Sequence, residues 1–110
     1  MSNQESDLVE ILTRQSVFSL ETYGPGMRVE GVVKHITKEL GEIRKDPYDI
    51  TEWIDVAILA FDGAWRAGYT PLQIRDAYVA KLEKNMARQW PDWRTADPDA
   101  PIEHVRGIND

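Results

Sequence analysis

Apolar residues recur at intervals of three and four along most of this chain, and proline, glycine and capping residues mark the places where the rhythm stops. Val29, Val32, Val33, Ile36, Leu40 and Ile43 have the spacing of a helix that buries one stripe, which predicts a helix over 28–45. Asp46-Pro47 interrupts it, because proline disfavours helical backbone in the residue before it. Asp49 is a good amino-terminal cap for the next helix, expected over 50–67, and Gly68 suits that helix's carboxyl-terminal cap. Thr70 followed by Pro71 opens a further helix running to about Gln89. Upstream, Leu8, Ile11, Leu12, Gln15 and Phe18 sit at helical spacing within 5–21, and the "YGPG" of 23–26 reads as a turn. The tail from 91 onward is rich in proline and aspartate, so it reads as an irregular arm with at most one short helical turn near Ile102 to Val105. Repeats and strand alternation of useful length are absent. The pattern predicts an all-α four-helix bundle, with a helical core over about 5–90 and an arm over 91–110, as a single domain.

Composition narrows the partners. A chain of 110 residues that is 42% hydrophobic is the size of one domain and can bury about two thirds of its unfolded surface. The net charge of -6 leaves no basic footprint for a nucleic acid polymer. With no cysteine there are no disulfides, thiolate zinc sites or cysteine nucleophiles. The start of the chain lacks a signal-peptide pattern, and the run Val56 to Phe61 is far short of the roughly 20 apolar residues of a membrane helix. A cytoplasmic protein without a membrane partner is the expectation.

Charge then raises a chemical question. Glu39 and Glu42 are three apart on the second helix, Glu52 and Asp55 three apart on the third, and each pair shares a face. An antiparallel hairpin broken near Pro47 sets Glu42 level with Glu52 and Glu39 level with Asp55, so four carboxylates can converge. Three residues of helix rise roughly 4.5 Å, which suits two divalent ions about 3.5 to 4 Å apart. Magnesium or manganese is the hard-cation choice for such oxygens. The third helix is apolar nearly all round, so Glu52 and Asp55 are expected to be partly buried, and buried carboxylates protonate, pair with cations or bind metal. Lys34, Lys38, Arg44 and Lys45 can supply cations, but the first two point away from the Glu39 and Glu42 side of their helix. Spacing alone also fits duller roles. Asp49 with Glu52 has capping-box spacing, and Glu39 with Glu42 fits a solvated acidic face. His35, one turn before Glu39, fits a ligand or a neighbour of one, though packing is the commoner role. Asp62 either extends the acidic stripe or pairs with Arg66 four residues on.

A second group lies further along. Lys81, Asn85 and Arg88 line one face of the fourth helix, and all three can donate to phosphate oxygens. A solvated polar stripe is the alternative, but metal-binding acids together with phosphate donors are the parts a nucleoside triphosphate site requires. Arg28, just after the "GPG" turn, can add a positive charge. Trp90 and Trp93 suit packing of the arm, while Phe18, Trp53 and Trp65 are all candidates to stack on a base.

Glu-x-x-Glu as "ELGE" followed by Glu-x-x-Asp as "EWID" resembles the MazG-like all-α nucleoside triphosphate pyrophosphohydrolases. More narrowly, "FSLETYGPGMRVEGVVKHITKELGEI", "EWIDVAILAFDGAWRAGYTP", "KLEKNMARQWPDWR" and "IEHVR" resemble the phage and proteobacterial branch described as dATP/dGTP diphosphohydrolases, over about residues 15–106. The resemblance implies magnesium-ligand roles for Glu39, Glu42, Glu52 and Asp55, with manganese able to substitute. It implies phosphate contacts from Lys81, Asn85 and Arg88, and hydrolysis of a purine dNTP to dNMP and pyrophosphate for nucleotide-pool control. It also implies a homodimer or homotetramer with the site near a subunit interface, working in the host cytoplasm if the protein is phage-encoded. The hairpin departs from the general family pattern, since only nine residues separate the two acidic motifs. The rival reading is a non-enzymatic acidic helical protein that binds a partner through its apolar face.

Overall fold

The break at Asp46-Pro47 produces the hairpin that organises the fold. In the structure, a computed structural model that describes residues 4–107, with side chains from Asp7 onward, helices α1 (Gln4–Tyr23), α2 (Val29–Lys45), α3 (Ile50–Arg66) and α4 (Pro71–Ala87) follow one another, and no strand occurs among the described residues. The chain is all-α, as its periodicity predicts. It divides into two units, residues 1–76 and 77–110.

In the first unit α3 packs against both α2 and α1. Each helix starts and stops where local chemistry dictates. Asp49 caps α3 by accepting from the Thr51 N–H at 2.9 Å and from its hydroxyl at 2.7 Å. The Trp53 indole N–H donates to the Pro47 carbonyl at 2.9 Å and pins the turn before α3. Gly68, at φ 108, takes the left-handed backbone that follows the helix, one residue beyond the cap at Ala67. Thr70 and Gln73 form a reciprocal capping box at the start of α4: the Gln73 N–H donates to Thr70 Oγ1 at 3.1 Å, and the Thr70 N–H donates to Gln73 Oε1 at 2.9 Å.

The turn between α1 and α2 is held from a distance. Gly24 and Gly26 have φ of 81° and 100°, open to glycine at little cost. Their carbonyls accept from the Arg66 guanidinium at 2.9 and 3.0 Å. That guanidinium also donates to Asp62 Oδ2 at 2.8 Å and to the Ser19 hydroxyl at 2.8 Å, while the Ser19 hydroxyl donates to Asp62 Oδ1. The Arg66 side chain is completely buried. Asp62 therefore belongs to this ion pair, the second of its two sequence roles, and one network ties the end of α1, the glycine turn and α3 together.

Apolar burial is thin by comparison. Leu12, Ile43 and Ile74 are the buried hydrophobic residues among those described, whereas Ile50, Trp53, Ile54 and Ile58 of α3 are all at least 43% exposed. The apolar circumference of α3 is real, but the described residues cover only part of it.

In the second unit α4 ends at Ala87, short of the expected Gln89, because the Asn85 carbonyl takes the Arg88 N–H at 3.3 Å and the Trp90 indole N–H at 2.8 Å. The arm's helical turn lies at Trp93–Thr95, capped by Asp92, and not near Ile102 to Val105. Val105 lends its N–H to the Gln89 carbonyl at 2.7 Å, an extended contact in place of a helical one. The Trp90 ring meets His104 edge-on, with centroids 5.9 Å apart. Residues 108–110 of the expected arm lie outside the described residues. Among the described residues no helix is long and apolar enough to cross a membrane.

Candidate active site

The α2–α3 hairpin brings carboxylates from both helices to one place. One oxygen each from Glu39, Glu52 and Asp55 lies within 4.8 Å of the others. Glu42 stands outside this trio, with its Oε1 3.6 Å from the Lys45 ammonium one turn on. Level-matching sets how high a residue stands on its helix but not the direction of its side chain, and Lys45 offers Glu42 a local partner. Glu39 and Glu52 are half-buried, whereas Asp55 is exposed.

The electrostatics are those of acids crowded together. The Glu52 carboxyl is pushed above its ordinary value, first by desolvation and then by the charges of Asp49, Asp55, Glu39 and Glu42. The capping-box role for Glu52 is not what forms, since the Asp49 N–H is taken by the Asp46 carbonyl at 3.2 Å. His35 places Nε2 3.5 Å from Glu39 Oε1, with a side chain 45% exposed, so it contacts a carboxylate of the cluster and is not a buried packing residue. Three hard oxygens in mutual reach, with the ionised form of one disfavoured by its neighbours, suit a divalent cation such as magnesium or manganese.

Beside the trio opens a cavity of about 190 Å³ whose wall includes Glu39 and Asp55 together with Gln15, Phe18, Tyr23 and His35. Gln15 donates from Nε2 to the Ile58 carbonyl at 2.9 Å. Its signal in the sequence is a lone amide on the apolar stripe of α1. Arg28 begins α2 with a left-handed backbone, φ 49, and its guanidinium lies 5.8 Å from the Tyr23 ring centroid.

The phosphate-donor candidates lie in the second unit. Arg88 donates to Asn85 Oδ1 at 2.8 Å, and its Nε is buried without a hydrogen-bond partner. Lys81 is exposed. Arg88 also lines a cleft of about 440 Å³ with Lys84 and Arg106. Lys84 lies on the same helical face as Lys81 and Arg88. Arg106 comes from the arm, and no spacing rule points to it.

A family model described as dATP/dGTP pyrophosphohydrolase matches residues 11–108. The Eaa protein of Salmonella phage P22 is 40% identical over 53 residues, which cover 48% of this chain and 17% of the phage protein. No solved structure matches.

Proposed function

Because this chain belongs to the dATP/dGTP pyrophosphohydrolase family, whose members are hydrolases acting on nucleoside triphosphates, we propose that it cleaves the bond between the α and β phosphates of a purine deoxynucleoside triphosphate in a magnesium-dependent reaction. The products are the monophosphate and pyrophosphate. The observation that carries this reading is the approach of Glu39, Glu52 and Asp55 within 4.8 Å in a chain of that family.

Glu39, Glu52 and Asp55, with Glu42 one turn from Glu39, would hold the cation. Magnesium, or manganese in its place, would supply neutralisation of phosphate charge and a more nucleophilic water. Glu39 accepts the proton of the attacking water, whose oxygen bonds to the α phosphorus as the bond to the bridging oxygen breaks and pyrophosphate departs. His35 holds the Glu39 carboxylate in position from 3.5 Å. Lys81, Asn85 and Arg88 receive the outer phosphates, and the partnerless Arg88 Nε is a donor suited to one of their oxygens. Arg28 adds charge at the start of α2. The whole of 1–110 acts as a single MazG-like domain in the cytoplasm, where its substrate is found. The exposed apolar face of α3 supports a homodimer or homotetramer.

The decisive experiment is chromatographic analysis of products from the four deoxynucleoside triphosphates, with magnesium and with chelator. Monophosphate and pyrophosphate from the purine substrates, dependent on magnesium, is the expected result. Diphosphate and phosphate would overturn the cleavage site, and no turnover by folded protein would overturn the hydrolase reading.

A further inference from the structure

We propose that the cavity beside the carboxylates seats the purine base, with Gln15 reading the base edge and Phe18 supplying the surface on which the base stacks. The inference rests on the reading of this site as a deoxynucleoside triphosphate hydrolase and adds to it the residues that choose the base.

Size comes first. About 190 Å³ is too small for a whole nucleotide, since sites for ligands of that size run to roughly 300–1,000 Å³, but it suits one ring system. Position comes next. Glu39 and Asp55 are part of the cavity wall, so a base lodged there leads its phosphates toward the carboxylates. The lining is right for a base as well: Phe18 and Tyr23 meet edge to face with centroids 6.3 Å apart, and Phe18 remains 59% exposed. An aromatic face left open at the mouth of a small cavity is a stacking platform, and every base has a π face to lay on it.

Gln15 supplies direction. A backbone carbonyl can only accept, so the bond to Ile58 sets the amide with Nε2 toward α3 and leaves Oε1, together with the second N–H, for a ligand. An acceptor there calls for an N–H on the base. Adenine offers its N6 amino group, and guanine its N1–H and N2 amino group. Cytosine N4 and thymine N3 carry N–H groups as well, so the choice of a purine rests on size: the two-ring bases fill the space over Phe18 better than a pyrimidine, which forfeits contacts wherever a gap remains.

The other aromatic candidates are engaged elsewhere. The Trp53 indole N–H is committed to Pro47. Trp65 carries the Arg66 guanidinium 5.2 Å from its ring centroid and lines a different cavity.

The test pairs kinetics with binding on full-length wild type, Gln15→Leu, Phe18→Ala and Phe18→Trp. Steady-state rates are taken with the four deoxynucleoside triphosphates, and calorimetric binding with dAMP and dGMP, which need no hydrolysis to be read. Gln15→Leu and Phe18→Ala are each expected to raise KM for dATP and dGTP about tenfold or more and to weaken dAMP and dGMP binding to match, and Phe18→Ala to flatten the preference over pyrimidines. Phe18→Trp, which keeps the aromatic face, is expected to restore KM. Gln15→Leu also removes a tie between α1 and α3, so Phe18→Ala, at an exposed position, keeps the test sound if the first variant unfolds. Folded Phe18→Ala with wild-type KM and base ranking would overturn the base site while leaving the hydrolase reading intact. Purine monophosphate binding that depends on Gln15 and Phe18, with no triphosphate turnover in wild type, would keep the base site and sink the hydrolase. No binding of either monophosphate to wild type would overturn the base site outright.

Discussion

Asp55 and Glu52 sit side by side in the carboxylate trio yet should behave differently when changed. Asp55 is exposed, so Asp55→Asn costs little packing and removes one charged oxygen ligand from the cluster. Wild-type protein in magnesium at about a hundred times its dissociation constant should gain about 2.7 kcal/mol of stability, read as a rise in Tm. Asp55→Asn should lose that rise and the hydrolysis while melting normally in chelator; a rise of full size in the variant would show that the ion binds elsewhere. Glu52 carries the pH signature. Its carboxyl titrates above its ordinary value in the fold, so the native state binds more protons than the unfolded chain in the window from about 4.5 upward. Stability in chelator must therefore fall as pH rises through that window. Glu52→Gln, which cannot ionise, should be more stable than wild type at pH 7 without metal, with the difference vanishing below pH 4.5. Thermal melts across pH 4 to 8 would read this, and a variant less stable at pH 7 would contradict the crowding of charge at this position.

Among the elements, those whose ends are fixed by local chemistry were legible in the sequence and those fixed by distant partners were not. Asp46-Pro47, Asp49, Gly68 and Thr70-Pro71 each act within a few residues, and the ends of α2 and α3 and the start of α4 fall beside them. The arm is different. Its course depends on the Val105 N–H finding the Gln89 carbonyl, a pairing that no periodicity encodes, and so the helical turn falls at Trp93–Thr95. The carboxylates divide along the same line. Helical spacing brings Glu39, Glu52 and Asp55 together and offers Lys45 as a cation, but it does not single out Glu42 as the acid that Lys45 meets. The Asp62–Arg66 pair is visible as a spacing of four, while the reach of Arg66 to Ser19, Gly24 and Gly26 is not. Two stability predictions separate the local from the distant. Thr70→Ala removes half of a capping box at an exposed helix end and should cost about 1 kcal/mol in urea denaturation. Arg66→Leu strips the partner from buried Asp62 and from two turn carbonyls, and should cost about 3–5 kcal/mol. Equal losses from the two would mean that the buried network holds no more than a surface cap does.

For the molecule as a whole, the balance of apolar surface supports the homo-oligomer proposed above. Three buried hydrophobic side chains among the described residues are a small core for a chain that is 42% hydrophobic. Exposed apolar residues occur on every helix, and on α3 they form a stripe. Ile50, Trp53, Ile54 and Ile58 follow helical spacing along α3, at 72, 52, 48 and 43% exposure. A stripe of that kind, on the helix that also supplies Glu52 and the exposed Asp55, is what a second copy of the chain would bury. Self-association of this kind makes Tm rise with protein concentration, because only the folded chains assemble. Ile54→Lys places a charge in the middle of the stripe, where burial in an interface would be costly and exposure to water is not. The expected outcome is a shift to the monomer mass by light scattering, a lower Tm that no longer depends on concentration, and loss of nucleotide hydrolysis with the helical circular dichroism of the hairpin retained. A wild-type chain that is monomeric at micromolar concentration and hydrolyses its substrate at full rate would refute the shared interface, and the open flank of α3 would then need a different partner.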